Sequence, residues 1–188
     1  MENHSNQTPP TLAFDRGTLV VSGALEPLAE PFTWDARTRQ WRCHARHYVA
    51  VRRALHGRVQ DTLPPPRAIR WPHLGLPTLR PDQQQALAAW EAAGRVGQII
   101  MPTGTGKTVV ALAAMARCAV ASLVVAPIRD LMYQWHRRIA RDLGFNAGIL
   151  GDGRHEIWPV TVTTYDSAYI HMERMGAQFG LVIFDEEH

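Results

Sequence analysis

A glycine-rich segment between an apolar run and a helical run constrains the fold most. Gln98–Met101 is predicted to form a strand, and Lys107–Ala119 is predicted to form a helix. Pro102–Gly106 joins them and contains two glycines. Glycines let such a loop wrap with its backbone N–H groups inward, and the helix N-terminus adds the positive end of its dipole. The segment therefore predicts a cradle for phosphate groups.

The residue that follows this loop, Lys107, is the only lysine in the chain, because the other nineteen basic residues are arginine. Lysine carries a compact, strongly hydrated charge, whereas the arginine guanidinium is a broad planar fork. The pattern predicts that Lys107 bridges the β- and γ-phosphates of a nucleotide and that the Thr108 hydroxyl binds Mg²⁺. The strict pattern has glycine where this chain has Met101, so a glycine-rich turn without a ligand remains the alternative. The loop residues expected at the phosphates are Thr103, Gly104, Thr105 and Gly106.

A second candidate element is the acidic cluster Asp185–His188, which follows the predicted strand Leu181–Phe184. Parallel sheets bind ligands at the carboxyl ends of their strands, where the phosphate loop is also expected. Asp185 is predicted to hold Mg²⁺ through water, and Glu186 to orient or deprotonate the water that attacks the γ-phosphate. An isolated acidic cluster is usually a solvated turn, but the phosphate loop favours a nucleotide site.

The second half of the chain alternates strand and helix patterns. Two more apolar runs, Leu123–Ala126 and Val160–Thr164, are typical of buried strands, and Leu131–Leu143 is predicted to be a helix that ends at Gly144. Continuous apolar strands suit a parallel sheet that is covered on both faces. We therefore expect an α/β fold, with helices on both faces of a parallel sheet.

The first half predicts a small α+β domain that contains two hairpins and a helix. One hairpin turns at Asp15–Gly17 and the other at Asp35–Arg39, and Tyr48, Val51 and Leu55 recur at helical spacing before Gly57. We expect a disordered tail over 1–10, the α+β domain over 11–60, a proline-rich linker over 61–77 and the α/β domain over 78–188.

Composition excludes several classes of protein. No apolar run approaches the roughly 20 residues that span a bilayer, and the polar N-terminus lacks the apolar stretch of a secretory signal. Cys43 and Cys118 form no disulfide framework, and Cys43 with His44 and His47 is not expected to bind metal. We therefore expect a cytoplasmic, nucleoid-associated protein without a membrane partner. The charge of +4 over residues 1–77 suits either DNA or a solvated arginine face.

The second hairpin offers two interpretations. Trp34 and Trp41 face each other across it, which favours a packed pair over a platform for exposed bases. Arg37, Arg39 and Arg42 suit either phosphate contacts or a solvated face.

Met101–Thr108 and Asp185–His188 resemble motifs I and II of the superfamily-two (DEAD/DEAH-type) helicases. Leu79–Gln83 is similar to the adenine-recognition element of that superfamily, which implies that Gln83 and Arg80 contact the nucleotide, although Asp82 replaces the usual aromatic. Ala126–Trp135 and Thr161–Tyr169 resemble the motifs that contact the nucleic-acid backbone. The residues that these resemblances imply at DNA are Pro127, Arg129, Gln134, Thr163 and Thr164, and His188 is implied to couple the two sites.

Within the superfamily, the chain resembles the bacterial and archaeal XPB-type DNA repair helicases. The strings Tyr165–Tyr169 and Gly151–Arg154 carry this resemblance, as do Phe32–Asp35 and Trp41–Arg42, which are similar to the damage-recognition domain. The resemblance implies an ATP- and Mg²⁺-dependent motor that moves three-prime to five-prime on DNA, at single strands and duplex junctions. It also implies a RecA-like fold, in which this chain is an incomplete first motor domain preceded by the small domain.

We therefore expect an N-terminal fragment of a DNA repair helicase, which binds ATP–Mg²⁺ and DNA but is inactive without a second motor domain. Two alternatives stay open: the motor subunit of a restriction system, with a partner nuclease, and a non-catalytic DNA-binding module. The joint presence of Lys107, Thr108, Asp185 and Glu186 argues against the module, because each is needed only for nucleotide chemistry.

Overall fold

The computed structural model describes residues 9–23 and 26–185 of the chain. Two compact units divide it: Met1–Pro65 with His171–Ala177, and Pro66–Ile170 with Gln178–His188. Most of the predicted tail lies outside the described residues, as do the motif residues Glu186, Glu187 and His188.

The first unit is built on a five-stranded sheet with the order β3-β4-β2-β1-β5. The β1–β2 hairpin turns at Arg16 and Gly17, whose φ angles of 47° and 82° are those of the tight turn that matches strand twist. Both predicted hairpins and the predicted helix are confirmed. The elements are β1 (Thr11–Asp15), β2 (Thr18–Ser22), β3 (Thr33–Asp35), β4 (Gln40–His44), a 3₁₀ turn (Ala45–His47), α1 (Tyr48–Ala54) and β5 (Gln60–Asp61).

The core of this unit lies between the sheet and α1. Leu12 and Leu19 are fully buried there, with Val51 of α1 beside them. Cys43 is buried in the same cluster, and this burial raises the pKa of its thiol.

The second unit contains a sheet with the order β10-β6-β9-β7-β8. The strands β10, β6, β9 and β7 pair in parallel, and only the short β8 is antiparallel to its neighbour. No helix within residues 9–23 and 26–185 is long and apolar enough to span a membrane. The elements that follow β5 along the chain are α2 (Pro81–Ala92), α3 (Lys107–Cys118), β6 (Ser122–Ala126), α4 (Arg129–Leu143), β7 (Gly148–Gly151), β8 (Arg154–His155), β9 (Val160–Thr164), α5 (Tyr165–Met175), a 3₁₀ turn (Gly176–Gln178) and β10 (Leu181–Phe184). All of them belong to the second unit except the segment His171–Ala177, which is counted with the first.

The central strand β6 is buried along its whole length. Val124 and Ala126 pack in one cluster with buried residues of α3 and α4. Because successive side chains of a strand point to opposite faces, Leu123 and Val125 lie on the other face, and both are fully buried. This burial confirms the predicted α/β fold, in which a parallel sheet is covered on both faces.

The prediction of a strand at Gln98–Met101 is wrong. The structure assigns no strand to these residues, and the Ile100 side chain is 84% exposed. An apolar run becomes a strand only when its backbone N–H and C=O groups pair with a neighbour. None of the described strands pairs with this segment, and β10 forms the edge of the sheet.

Candidate functional site

The phosphate-loop candidate requires glycine at two positions. Gly104 has a φ of 78° and Gly106 a φ of 82°, both in the left-handed region that favours glycine. Gly106 is the N-cap of α3, so this helix begins at Lys107, as the sequence predicts. A Cβ atom at Gly106 would lie 2.7 Å from Nε2 of Gln83, whereas a Cβ at Gly104 would meet no atom of the described residues within 4 Å.

The predicted adenine-recognition element lies directly against this loop. The Thr105 carbonyl accepts hydrogen bonds from Gln83 Nε2 at 2.9 Å and from Arg80 Nη2 at 2.5 Å. Gln83 is almost fully buried at 4% exposure, and its Oε1 accepts from the backbone N–H of Arg80 at 3.0 Å. The structure therefore brings Arg80, Gln83 and the loop together, although they are more than twenty residues apart in sequence.

Asp82 stands at the position where the superfamily usually has an aromatic residue. Its carboxylate accepts from Arg80 Nε at 3.2 Å and from Arg80 Nη2 at 3.0 Å. The Arg80 guanidinium lowers the pKa of the Asp82 carboxyl, and Asp82 in turn raises the pKa of Arg80. This position therefore offers a planar ion pair in place of an aromatic ring.

The other half of the candidate site is Asp185, the residue after β10. Its backbone N–H donates to the Val125 carbonyl at 2.9 Å, which continues the parallel pairing of β10 with β6. Its Oδ2 accepts a hydrogen bond from the Trp135 indole Nε1 at 2.7 Å. The helix α3, which begins with Lys107 and Thr108, packs against β10. The helix that carries the lone lysine and the strand that leads to Asp185 are therefore neighbours.

The oxygen ligands of the site suit magnesium. Thr108 offers a hydroxyl and Asp185 a carboxylate, which are hard ligands that Mg²⁺ prefers over softer nitrogen and sulfur. In the described part of the chain, no group of three or more His, Cys, Asp or Glu side chains is placed to hold a metal. Mg²⁺ commonly binds one or two protein oxygens together with substrate phosphates, and Thr108 and Asp185 fit that mode.

Three of the residues predicted at DNA line one open pocket of about 440 Å³ at the carboxyl ends of β6 and β9. They are Pro127, Arg129 and Thr164. Arg129 Nη1 lies 2.8 Å from Oδ1 of Asp152, and the Tyr133 hydroxyl donates to Oδ2 of the same carboxylate at 2.9 Å. Asp130 and Asp166 also line the pocket. The pocket lining thus contains three carboxylates and one arginine. A phosphate that approaches Arg129 therefore also meets negative charge.

Gln134 and Thr163 lie outside this pocket lining. Gln134 is exposed on α4, whereas Thr163 is fully buried and its hydroxyl donates to the Leu150 carbonyl at 2.8 Å. The Thr163 hydroxyl therefore supports the strand β7, and Thr164 is the partly exposed member of the pair.

In the first unit, the Trp34 and Trp41 rings form a packed pair, as the hairpin pattern favours. Their centroids lie 5.2 Å apart at an interplanar angle of 60°, and the two residues are directly opposite in the β3–β4 ladder. Arg42 is held by Asp15 at 2.9 Å and by Asp35 at 3.3 Å. Arg42 therefore stabilises the sheet, while Arg37 and Arg39 are exposed at the turn.

Two family models match parts of this chain. Residues 76–188 match the family described as "Type III restriction enzyme, res subunit", and residues 12–60 match the family described as "Xeroderma pigmentosum group B helicase damage recognition domain". The first match implies a superfamily-two helicase with a RecA-like fold and covers more than half of the chain. The chain belongs to this helicase family, and its residues 12–60 and its curated relatives show similarity to XPB-type enzymes.

Curated relatives carry XPB or Rad25 names. The "DNA 3'-5' translocase XPB2" of Sulfurisphaera tokodaii is 47% identical over 110 residues, which are 58% of this chain and 25% of that protein. The "Putative DNA 3'-5' helicase Rad25" of Halobacterium salinarum is 32% identical over 116 residues, 58% of this chain and 19% of that protein. The "DNA 3'-5' helicase XPB" of Mycobacterium tuberculosis is 32% identical over 118 residues, which are 57% of this chain and 22% of that protein. The chain thus spans about a fifth to a quarter of these relatives.

One residue of the site, Trp135, was not predicted from the sequence. Its ring is buried, and its indole N–H donates to the Asp185 carboxylate. A buried tryptophan N–H normally finds a partner, so the residue type itself was a signal.

Proposed function

We propose that the chain forms the ATP- and DNA-binding part of an ATP-dependent XPB-type DNA helicase or translocase that acts in DNA repair. The observation that carries the proposal is the packing of α3, which begins at Lys107, against β10, which leads to Asp185. The bonds from Arg80 and Gln83 to the phosphate loop support it, because they bring a base-reading element beside the phosphates.

The proposed chemistry is the in-line attack of water on the γ-phosphate, which releases ADP and inorganic phosphate. Lys107 neutralises charge on the β- and γ-phosphates, and the N–H groups of the loop and of the first turn of α3 bind their oxygens. Thr108 and Asp185 would hold Mg²⁺, which supplies charge neutralisation at the phosphates when it is bound. Glu186, outside the described residues, orients the attacking water.

On the DNA side, we propose that Pro127, Arg129 and Thr164 contact the backbone of one strand, with Gln134 at the margin. A phosphate that binds Arg129 competes with the Asp152 carboxylate, whose Oδ1 lies 2.8 Å from Arg129 Nη1. The pocket therefore favours a strand that is held by several contacts over an isolated phosphate. Three-prime to five-prime movement and action at single strands or junctions are proposed from the similarity to the relatives named above.

We also propose that these 188 residues bind nucleotide without sustained, DNA-stimulated turnover. The named activities of the relatives belong to proteins of which the chain matches only 19–25%. A stabilising arginine at the γ-phosphate is worth roughly 10³–10⁵ in rate in nucleotide hydrolases, and in the superfamily the second motor domain supplies it. Coupling through His188 and a location in the cytoplasm at the nucleoid belong to the same proposal.

A second candidate function is the motor of a restriction system, which the name of the matched family favours. The damage-recognition match over residues 12–60 and the XPB-named relatives favour the repair helicase. Co-purification of a partner nuclease with the protein would support the restriction motor, and the absence of such a nuclease would support the repair enzyme.

Replacement of Lys107 tests the nucleotide site. Lys107→Ala is expected to weaken binding of a fluorescent ATP analogue at least tenfold, because it removes the cation that faces the phosphates. Arg53→Ala is the matched control, since this exposed arginine lies on α1 of the other unit and its loss should leave affinity unchanged. Equal affinity of the wild type and Lys107→Ala would contradict the nucleotide assignment.

A further inference from the structure

The Trp135 side chain joins the core of the second unit to the candidate magnesium site. The residue is only 3% exposed, and its ring packs in the cluster that contains Val124 and Val162 of the sheet. Its ring nitrogen points out of that cluster and donates to Oδ2 of Asp185 at 2.7 Å. The two residues are fifty positions apart, so only the fold brings them together.

The packing of the Trp135 ring in the core fixes the position of the N–H group that donates to the Asp185 carboxylate. Met132 and Ile139, one turn before and after on α4, are fully buried in the same cluster, so the indole has no room to change rotamer. A hydrogen bond from N–H to an ionised carboxylate at this length is among the stronger kinds. It restricts the side-chain torsions of Asp185.

Among the described residues, Trp135 is the one side chain that donates a hydrogen bond to the Asp185 carboxylate. Asp185 follows β10, which pairs only with β6 among the described strands, and the preceding Phe184 is 59% exposed. The backbone bond to Val125 fixes the main chain of Asp185 but does not orient its carboxylate. The indole N–H bonds to Oδ2, and within the described part of the chain Oδ1 is left for a metal ion or its bound water.

We propose that Trp135 is a positioning residue for magnesium binding: its indole N–H holds the Asp185 carboxylate in the orientation that Mg²⁺ requires. This inference rests on the proposed function, because it needs Asp185 to serve Mg²⁺–nucleotide. Groups that hydrogen-bond metal-ligating carboxylates tune affinity, and their loss typically costs 10- to 100-fold in metal affinity or activity.

The test measures how much Mg²⁺ the 188-residue chain needs to bind a fluorescent, non-hydrolysable ATP analogue. Trp135→Phe keeps an aromatic ring in the core but removes the N–H donor together with part of the buried indole. It is expected to raise the Mg²⁺ concentration at half-saturation about tenfold. Trp158→Phe is the matched control, because Trp158 is 40% exposed and its replacement should leave that concentration unchanged.

A second readout does not depend on the Phe variant folding well. The indole ¹H–¹⁵N resonance of Trp135, assigned from triple-resonance spectra of the wild type, should move in Asp185→Ala. In the wild type it should also move when Mg²⁺ is added to the nucleotide complex, by more than the Trp158 resonance does.

The outcomes separate this inference from the proposed function. If Asp185→Ala raises the Mg²⁺ requirement and Trp135→Phe changes it less than twofold, the positioning role is overturned while the magnesium site stands. If Asp185→Ala leaves the requirement unchanged, the magnesium assignment itself fails, and the inference fails with it. A Trp135 resonance that ignores Asp185→Ala would also overturn the positioning role.

Discussion

The contact between Gly106 and Gln83 allows a prediction with an internal control. Gly106→Ala places a methyl group 2.7 Å from Gln83 Nε2, and residue 106 has a φ of 82°. The variant therefore loses stability in two ways, through backbone strain and through loss of the hydrogen bond from Gln83 to Thr105. Gly104→Ala has nearly the same φ, 78°, and open space around the new methyl group, so it costs strain alone.

The expected losses of stability can be worked out from the backbone strain and from the lost hydrogen bond. A left-handed conformation costs an alanine about 1 kcal/mol relative to glycine. Displacement of the buried Gln83 amide from the Thr105 carbonyl costs about 1 kcal/mol more. We therefore expect Gly106→Ala to lower the free energy of unfolding of the second unit by about 2 kcal/mol, and Gly104→Ala by about 1 kcal/mol.

The assay is hydrogen exchange of the peptides that cover α3, followed through urea unfolding. Both variants should also be measured in a Gln83→Ala background, where the methyl group at Gly106 meets no amide. In that background the two glycine variants should lose the same stability, about 1 kcal/mol each. If the two glycine variants lost the same stability in the presence of Gln83, the predicted clash of the new methyl group with the Gln83 amide would be contradicted. A difference in stability that persisted in the Gln83→Ala background would contradict it as well.

Two further predictions concern charged groups of the second unit. Asp142 is 3% exposed and accepts from Arg141 at 2.6 Å and from Arg138 at 3.0 Å, which lower the pKa of its carboxyl. Because this pKa is lower in the folded state, the stability it contributes is present above the ordinary carboxyl pKa and is lost as the pH falls through the lowered value. Asp142→Asn should cost about 2 kcal/mol in urea unfolding at pH 7 and flatten this acid dependence; an unchanged pH profile would contradict it. Asp152→Asn should release Arg129 and tighten binding of a single-stranded oligonucleotide about two- to fivefold by fluorescence anisotropy, and weaker binding would contradict the competition inferred in the pocket.

Local sequence patterns predicted the parts of the site that depend on local geometry. The start of α3 at Lys107, the left-handed Gly144 after α4 and the place of Asp185 after an apolar strand all follow from residue type and spacing. These features depend on backbone conformation and hydrophobic period, which a few neighbouring residues determine.

The features that the sequence did not reveal depend on partners far away in the chain. Nothing near Gln83 indicates that its amide bonds to the phosphate loop, and nothing near Trp135 indicates Asp185 as its acceptor. Gln98–Met101 has the composition of a strand but no described strand to pair with, and composition alone cannot report a missing neighbour. The helix α5 was not foreseen, because Tyr169 and Ile170 are exposed and blur its apolar period.

The burial of Thr163 also shows that a local sequence motif does not determine which side chain is accessible. Thr163 and Thr164 are equivalent by resemblance, yet the pleat of β9 buries one and turns the other toward the pocket. A one-residue step along a strand reverses the face of a side chain, so a motif match cannot decide which hydroxyl reaches a ligand.

The proposed function requires that Thr108 and Asp185 serve the same metal ion at a bound nucleotide. Paramagnetic broadening by Mn²⁺, added in place of Mg²⁺ with a non-hydrolysable ATP analogue, measures this proximity in the amide spectrum. We expect the amide resonances of both Thr108 and Asp185 to broaden strongly, and only when the nucleotide is present. Broadening at one residue without the other, or at neither, would contradict the shared metal site.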